Sequence, residues 1–257
     1  MEDRWLLLRG LAREHIHWLD FPEKLSAATG GSIVTCADLP GTGSEHLREA
    51  PRTIAENADD IIARVLGDQG VRDVRWWIFG ISLGGMVAME MASRVQLPIS
   101  GVAVANTSSA LCAPLERMKV GAALRLLTAA ALPSMRQRER LVLSITSNAS
   151  KNVRESSVDI FANAFRKRSI SRRTLRNQIL AAAEFQLPRK LSAPLLVLSS
   201  RADRLVSPRC SERIADYYHA PHVEHLRAGH DLALDDAEWV CDQLQHWQVR
   251  VIAKKCP

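Results

Sequence analysis

The chain has 257 residues, 47% of them hydrophobic, which is enough for one full core with room for an insertion. Near its start the apolar run Trp5-Leu6-Leu7-Leu8 is shorter than the roughly 7–15 residues of a secretory signal or the about 20 of a membrane helix, and no longer run follows. No membrane insertion is therefore expected. The net charge of +6 is unevenly spread, because residues 107–190 carry sixteen Lys/Arg against five Asp/Glu.

Compact apolar runs with little alternation predict strands covered on both faces. They span residues 4–8, 32–37, 74–79, 101–105 and 194–199, with a weaker sixth at 223–226. Helical periodicity predicts a helix over 50–66, where Ile54, Ala58, Ile61, Ile62 and Val65 share one face. Further helices are expected over 83–94, 207–218 and 237–251. Strands alternating with helices imply an α/β fold, a mostly parallel sheet of about six strands wrapped by helices. The alternation stops near residue 107. From there to 190 only helix signals occur, over 114–132, 135–147, 156–168 and 171–185, the last with Ser171 as N-cap. The expected organisation is an α/β core of residues 1–106 and 191–257, divided by an all-helical insertion at 107–190 that coincides with the basic block.

Five cysteines, Cys36, Cys112, Cys210, Cys241 and Cys256, are scattered, with no pair at metal-ligand spacing. Reduced thiols in a cytoplasmic protein, and no metal, fit that pattern.

The chemistry centres on Gly80-Ile81-Ser82-Leu83-Gly84, placed directly after an apolar strand and directly before a helix. That context is what a nucleophile elbow requires: a sharp turn presenting the serine hydroxyl at the sheet edge. A serine is a weak nucleophile and needs a base. Of eight histidines, His230 lies in a loop between the last strand and the last helix, the position demanded by the chain order Ser, Asp, His. Asp203 follows the preceding strand and is suited to orient that imidazole, because Ser207 and Pro208 already serve the next helix start. Two backbone donors should hold the developing oxyanion: the amide of Leu83, and that of Leu11 in the turn after the first strand, where Gly10 permits the bend. A non-catalytic binding protein on the same scaffold is the alternative from another class. A nucleic-acid role for the basic block lacks any accompanying motif.

Taken together, Arg9-Gly10-Leu11 after a strand, Trp18, Asp38-Leu39-Pro40-Gly41, the Gly80–Gly85 elbow, Arg201–Val206 and Ala228–Asp231 resemble the α/β-hydrolase superfamily. The match runs in the family's order over nearly the whole chain except the insertion. The resemblance implies a serine carboxylesterase-type hydrolase without a cofactor, with Gly10 and Trp18 near the substrate. It also implies a sheet that starts at the family's usual third strand, and a lid formed by the insertion. Arg9 stands where the family usually has histidine. The substrate implied is a small-molecule or carrier-linked acyl ester, or a thioester. Hydrolases similar to pimeloyl-acyl-carrier-protein methyl esterase use a basic lid to dock an acidic carrier protein. Here Arg172, Arg173 and Arg176 are the candidates for such docking, and a solvated helix surface is the plainer reading of the same residues.

Overall fold

In the computed structural model, which describes residues 2–66, 74–94 and 97–255, six strands form. They are β1 (Glu2–Leu8), β2 (Ile33–Ala37), β3 (Val74–Ile81), β4 (Ile99–Ala105), β5 (Leu195–Ser200) and β6 (His222–His225). They pair in the order β2-β1-β3-β4-β5-β6, and every pair is parallel. Cys256 lies outside the described residues; Cys36, Cys112, Cys210 and Cys241 are free thiols. No described helix is long and apolar enough to cross a membrane.

Successive strand side chains point to opposite faces, which divides the core in two. Leu6, Leu8, Ile78, Val102 and Val104 meet α2 (Ile54–Ile61), α3 (Leu83–Ala92) and α9 (Pro208–Tyr218) through Ile61, Val87 and Ile214. Trp5, Leu7, Phe79 and Leu198 face the other way, onto α1 (Phe21–Ala28) and α11 (Ala237–Lys255), through Phe21, Leu25, Leu244 and Trp247. Each fully buried large side chain contributes about 1.5–3 kcal/mol. The sheet is therefore rigid enough to serve as a platform for the loops at its C-terminal edge.

Between β4 and β5 lie five helices: α4 (Pro114–Arg117), α5 (Val120–Ala131), α6 (Met135–Thr146), α7 (Lys151–Lys167) and α8 (Arg172–Glu184). The single helix expected over 114–132 is broken at Met118, which is extended. The break frees the Lys119 backbone N–H to donate to Leu205 O at 2.9 Å, tying this segment to the loop after β5. α7 starts five residues earlier than expected because Ser150 caps it, its hydroxyl accepting from Val153 N. α2 starts late, at a reciprocal cap between Thr53 and Glu56, and residues 62–66 relax into a wider π turn. Ser207 occupies the cap position of α9, but its side chain makes no capping bond. α5 turns its larger residues outward: Leu124 and Leu127 are 60% and 69% exposed while Ala122 and Ala129 are buried. Leu143 and Phe161 pack with Val158 into the small core of these helices.

Candidate active site

Ser82 sits between β3 and α3 with φ 56° and ψ −120°. A residue with a Cβ held there stores about 1–3 kcal/mol of backbone strain. The turn closes only because its neighbours lack side chains. A Cβ on Gly80 would stand 2.3 Å from Gly84 O, and one on Gly84 would stand 2.2 Å from Leu8 O. Two bonds tie the turn to the end of β4: Ser82 N donates to Ala105 O at 2.9 Å, and Thr107 Oγ1 donates to Ser82 O at 2.8 Å.

Asp203 follows β5 and is 2% exposed. Its Oδ1 accepts from Leu205 N (2.7 Å) and Val206 N (3.0 Å), which fixes the carboxylate's orientation. Its Oδ2 is 2.8 Å from His230 Nδ1. With a carboxylate at Nδ1 that nitrogen carries the proton, and Nε2 is left as an acceptor. His230 is itself buried. Among the described residues no hydrogen bond joins Ser82 Oγ to Nε2; the ring's bond runs to Asp203.

The His230 loop is held from three sides. Asn106, buried just after β4, donates from Nδ2 to Gly229 O (3.1 Å), His230 O (2.9 Å) and Ser200 Oγ (3.0 Å), while its Oδ1 accepts from Ser200 N (2.8 Å). Its φ of 48° suits asparagine better than most residues. Asp231 N donates to Thr146 O at the end of α6 (2.7 Å). Asp235, in the short helix α10 (Leu232–Asp235), accepts from Gly229 N, from Asn148 N and from the Ser147 hydroxyl. Burial pushes the Asp235 carboxyl up.

The turn after β1 lies against the elbow, since a Cβ on Gly10 would come within 3.1 Å of Ser82 Cβ. Leu11 is the next residue, and Leu83 opens α3, where the first amides have no intrahelical acceptor. Arg9 reaches across to Asp231 with two bonds, Nη1 to Oδ1 at 3.0 Å and Nη2 to Oδ2 at 2.5 Å. Its guanidinium lies 4.6 Å over the Trp18 ring. Burial would raise the Asp231 carboxyl, but Arg9, joined by Arg13 and His230, holds the group below the usual carboxylate range. Arginine in place of histidine thus ties the first turn to the residue after His230.

A second polar layer links the same turn to the intervening helices. Arg13 pairs with Glu139 of α6 (2.7 Å) and touches His17 Nε2 (2.9 Å), and Glu14 pairs with Arg168 after α7 (2.8 Å). Glu14, His17, Glu139 and Arg168 line a narrow cavity with Ala12 and Thr42. Glu14, His15 and Asp38 cluster closely enough to suit a cation. Their carboxylates are already engaged, Asp38 by His15 and Ser44 and Glu14 by Arg168.

A family model described as Alpha/beta hydrolase family matches residues 5–243. The chain belongs to that family. No curated protein matches it by sequence. Among solved structures, this α/β hydrolase is similar to an enol-lactonase from Burkholderia xenovorans LB400, with 21% identity and a TM-score of 0.73, over 98% of this chain and 92% of the other. It is also similar to a hydrolase from Pseudomonas aeruginosa PA01 (22% identity, TM-score 0.71, 100% and 91% covered). A thermophilic esterase from Thermogutta terrifontis gives 18% identity and a TM-score of 0.68, with 96% and 90% covered. At these identities the likeness is one of fold.

Within this α/β hydrolase, Trp18 is not open to a ligand as expected. It is 3% exposed, stacked on Phe21 beside Phe79, with the Arg9 guanidinium lying over its ring. Arg172, Arg173 and Arg176 project from the exposed face of α8, and Arg173 is held by Glu49 at 2.5 Å. Sequence reasoning missed Asn106, Thr107, Gln178 and Asp235. Asn106 carried a readable signal, because an asparagine directly after a buried parallel strand suits a left-handed turn.

Proposed function

We propose that this α/β hydrolase cleaves a carboxylic ester or thioester by acyl transfer through Ser82. The observation that carries this reading is the strained Ser82 at the end of β3 together with the buried Asp203–His230 pair, 2.8 Å apart, on the loops after β5 and β6. His230 Nε2 takes the Ser82 proton as Oγ bonds to the substrate carbonyl carbon, and the carbonyl electron pair moves onto its oxygen. The Leu11 and Leu83 amides receive that oxyanion. His230 then protonates the leaving alcohol or thiol as its bond to carbon breaks. A water, deprotonated by the same nitrogen, releases the acid from Ser82. Asp203 stays ionised throughout and stabilises the imidazolium. An esterase and an enol-lactonase are among its structural neighbours, in keeping with this reading.

The test is hydrolysis of p-nitrophenyl esters from acetate to long acyl chains by wild type and Ser82→Ala. Loss of about 10³-fold or more in kcat with the variant is expected. Equal activity in both proteins would remove Ser82 as nucleophile. A wild type that turned over no ester or thioester would favour a binding role on the same scaffold.

A further inference from the structure

Ala12, in the turn that carries the proposed oxyanion donor Leu11, has a φ of 58°. Residues with a Cβ rarely take this left-handed conformation unless something holds them there. Its N–H donates to Gln178 Oε1 at 3.0 Å. Gln178 lies on α8 and is fully buried. We infer that Gln178 is a positioning residue for acyl transfer, pinning Ala12 so that the Leu11 amide is set at the oxygen developing on the substrate. This rests on the acyl-transfer reading of the site.

Three features carry it. First, the Gln178 amide can be oriented in only one way, because the Ala12 N–H requires an acceptor and therefore faces oxygen. Second, that orientation leaves Nε2 buried with no partner among the described residues. A buried donor without an acceptor is destabilising, and an apolar side chain of similar length would pack there without it. The residue thus opposes stability on one side while holding the turn on the other, the balance expected of a side chain kept for function. Third, α8 is anchored on both sides of Gln178. One turn earlier Thr174 packs on the bend after β2, where a Cβ on Gly41 would stand 2.4 Å from its methyl carbon. About one turn later Ala181 joins the apolar cluster that contains Leu83, with Leu11 packed against it. The pin is consequently rigid with respect to both proposed oxyanion donors.

The decisive variant is Gln178→Met, which keeps length and removes the acceptor. Amide hydrogen exchange in residues 10–13 should accelerate by about tenfold or more. Turnover of the best p-nitrophenyl ester should lose roughly 10²-fold in kcat with KM little changed, since a displaced donor acts on the transition state. Affinity for a phenylboronic acid, whose tetrahedral adduct on serine mimics the intermediate, should fall in parallel, a loss that a merely looser fold would not produce. Adding Ala12→Gly to Gln178→Met should recover about tenfold of the lost kcat, because glycine adopts the left-handed turn unaided. Gln178→Glu, which keeps an acceptor for Ala12, should retain wild-type exchange and covers the case in which the methionine variant does not fold. Unchanged exchange in Gln178→Met, or faster exchange with kcat preserved, overturns the inference. If wild type cleaves no ester, the functional reading fails by itself, and the exchange comparison still decides whether the pin exists.

Discussion

Arg9→Met isolates the ion pair between the first turn and the His230 loop. Both partners are nearly inaccessible, with 5% and 7% side-chain exposure, so solvent screening does little to weaken their interaction. Removing the guanidinium leaves the Asp231 carboxylate buried without its cation, a loss of about 3–5 kcal/mol at neutral pH. In a domain of this size that corresponds to a fall of roughly 6–20 °C in Tm. The pH dependence distinguishes this from a packing defect. In wild type the Asp231 carboxyl is held low by Arg9 against burial, so the pair's contribution is complete above about pH 4, the unfolded value, and is lost only as pH falls through the lowered one. In the variant, burial acts without Arg9 and raises the carboxyl above its unfolded value. Protonation then favours the folded state, and the deficit relative to wild type shrinks as the solution is acidified. Urea unfolding between pH 7.5 and 4.5, where the wild-type pair stays intact, reads the size of the deficit and its shrinkage in acid. Arg9→Met with Asp231→Leu, which removes the stranded charge, should recover most of the loss. A deficit below about 1 kcal/mol, a deficit that does not shrink in acid, or a double variant as unstable as the single one would refute the reasoning.

Asn106→Ala strips four hydrogen bonds from the ends of β4 and β5 and from the His230 loop. Because the freed carbonyls stay buried, a loss of at least about 2 kcal/mol in urea unfolding is expected, together with a lower kcat. His17 titrates well below its usual range through burial and the charges of Arg13 and Arg9. Unfolded histidine binds a proton near pH 6.5 and folded His17 does not, so the folded state loses stability as pH falls below about 6.5. His17→Gln should flatten that slope relative to wild type, read from unfolding midpoints between pH 8 and 5.

The central strands were legible because β1, β3, β4 and β5 each hold a short, mostly apolar run that burial on both faces explains, whereas β6 (His222–His225) has a single apolar residue and gave only a weak signal. The loops carrying Ser82, Asp203 and His230 could be placed for the same reason: once the strands are parallel, every loop that follows a strand opens on one edge. Helix boundaries were less readable. Nothing in the periodicity of residues 114–132 shows that Lys119 will turn its N–H to Leu205 O, a contact 86 residues away. α1 carried signals that composition alone underweights, Asp20 before it, Pro22 in its first turn and Gly30-Gly31 beyond it. Gln178 was unreadable for a different cause. In sequence it is one polar residue among the arginines of α8, and its meaning comes only from Ala12, 166 positions earlier.

The helical segment between β4 and β5 supplies the acceptor for Asp231 N from Thr146, the counter-charge for Arg13 from Glu139 and the acceptor for Ala12 from Gln178. It is therefore part of the frame on which the loops after β1 and β6 are hung. A chimera that exchanges residues 107–190 for a relative's segment exchanges those three supports along with the segment's own surface. Such a hybrid keeps the loops after β1 and β6 in place only if Thr146, Glu139 and Gln178 travel with their partners.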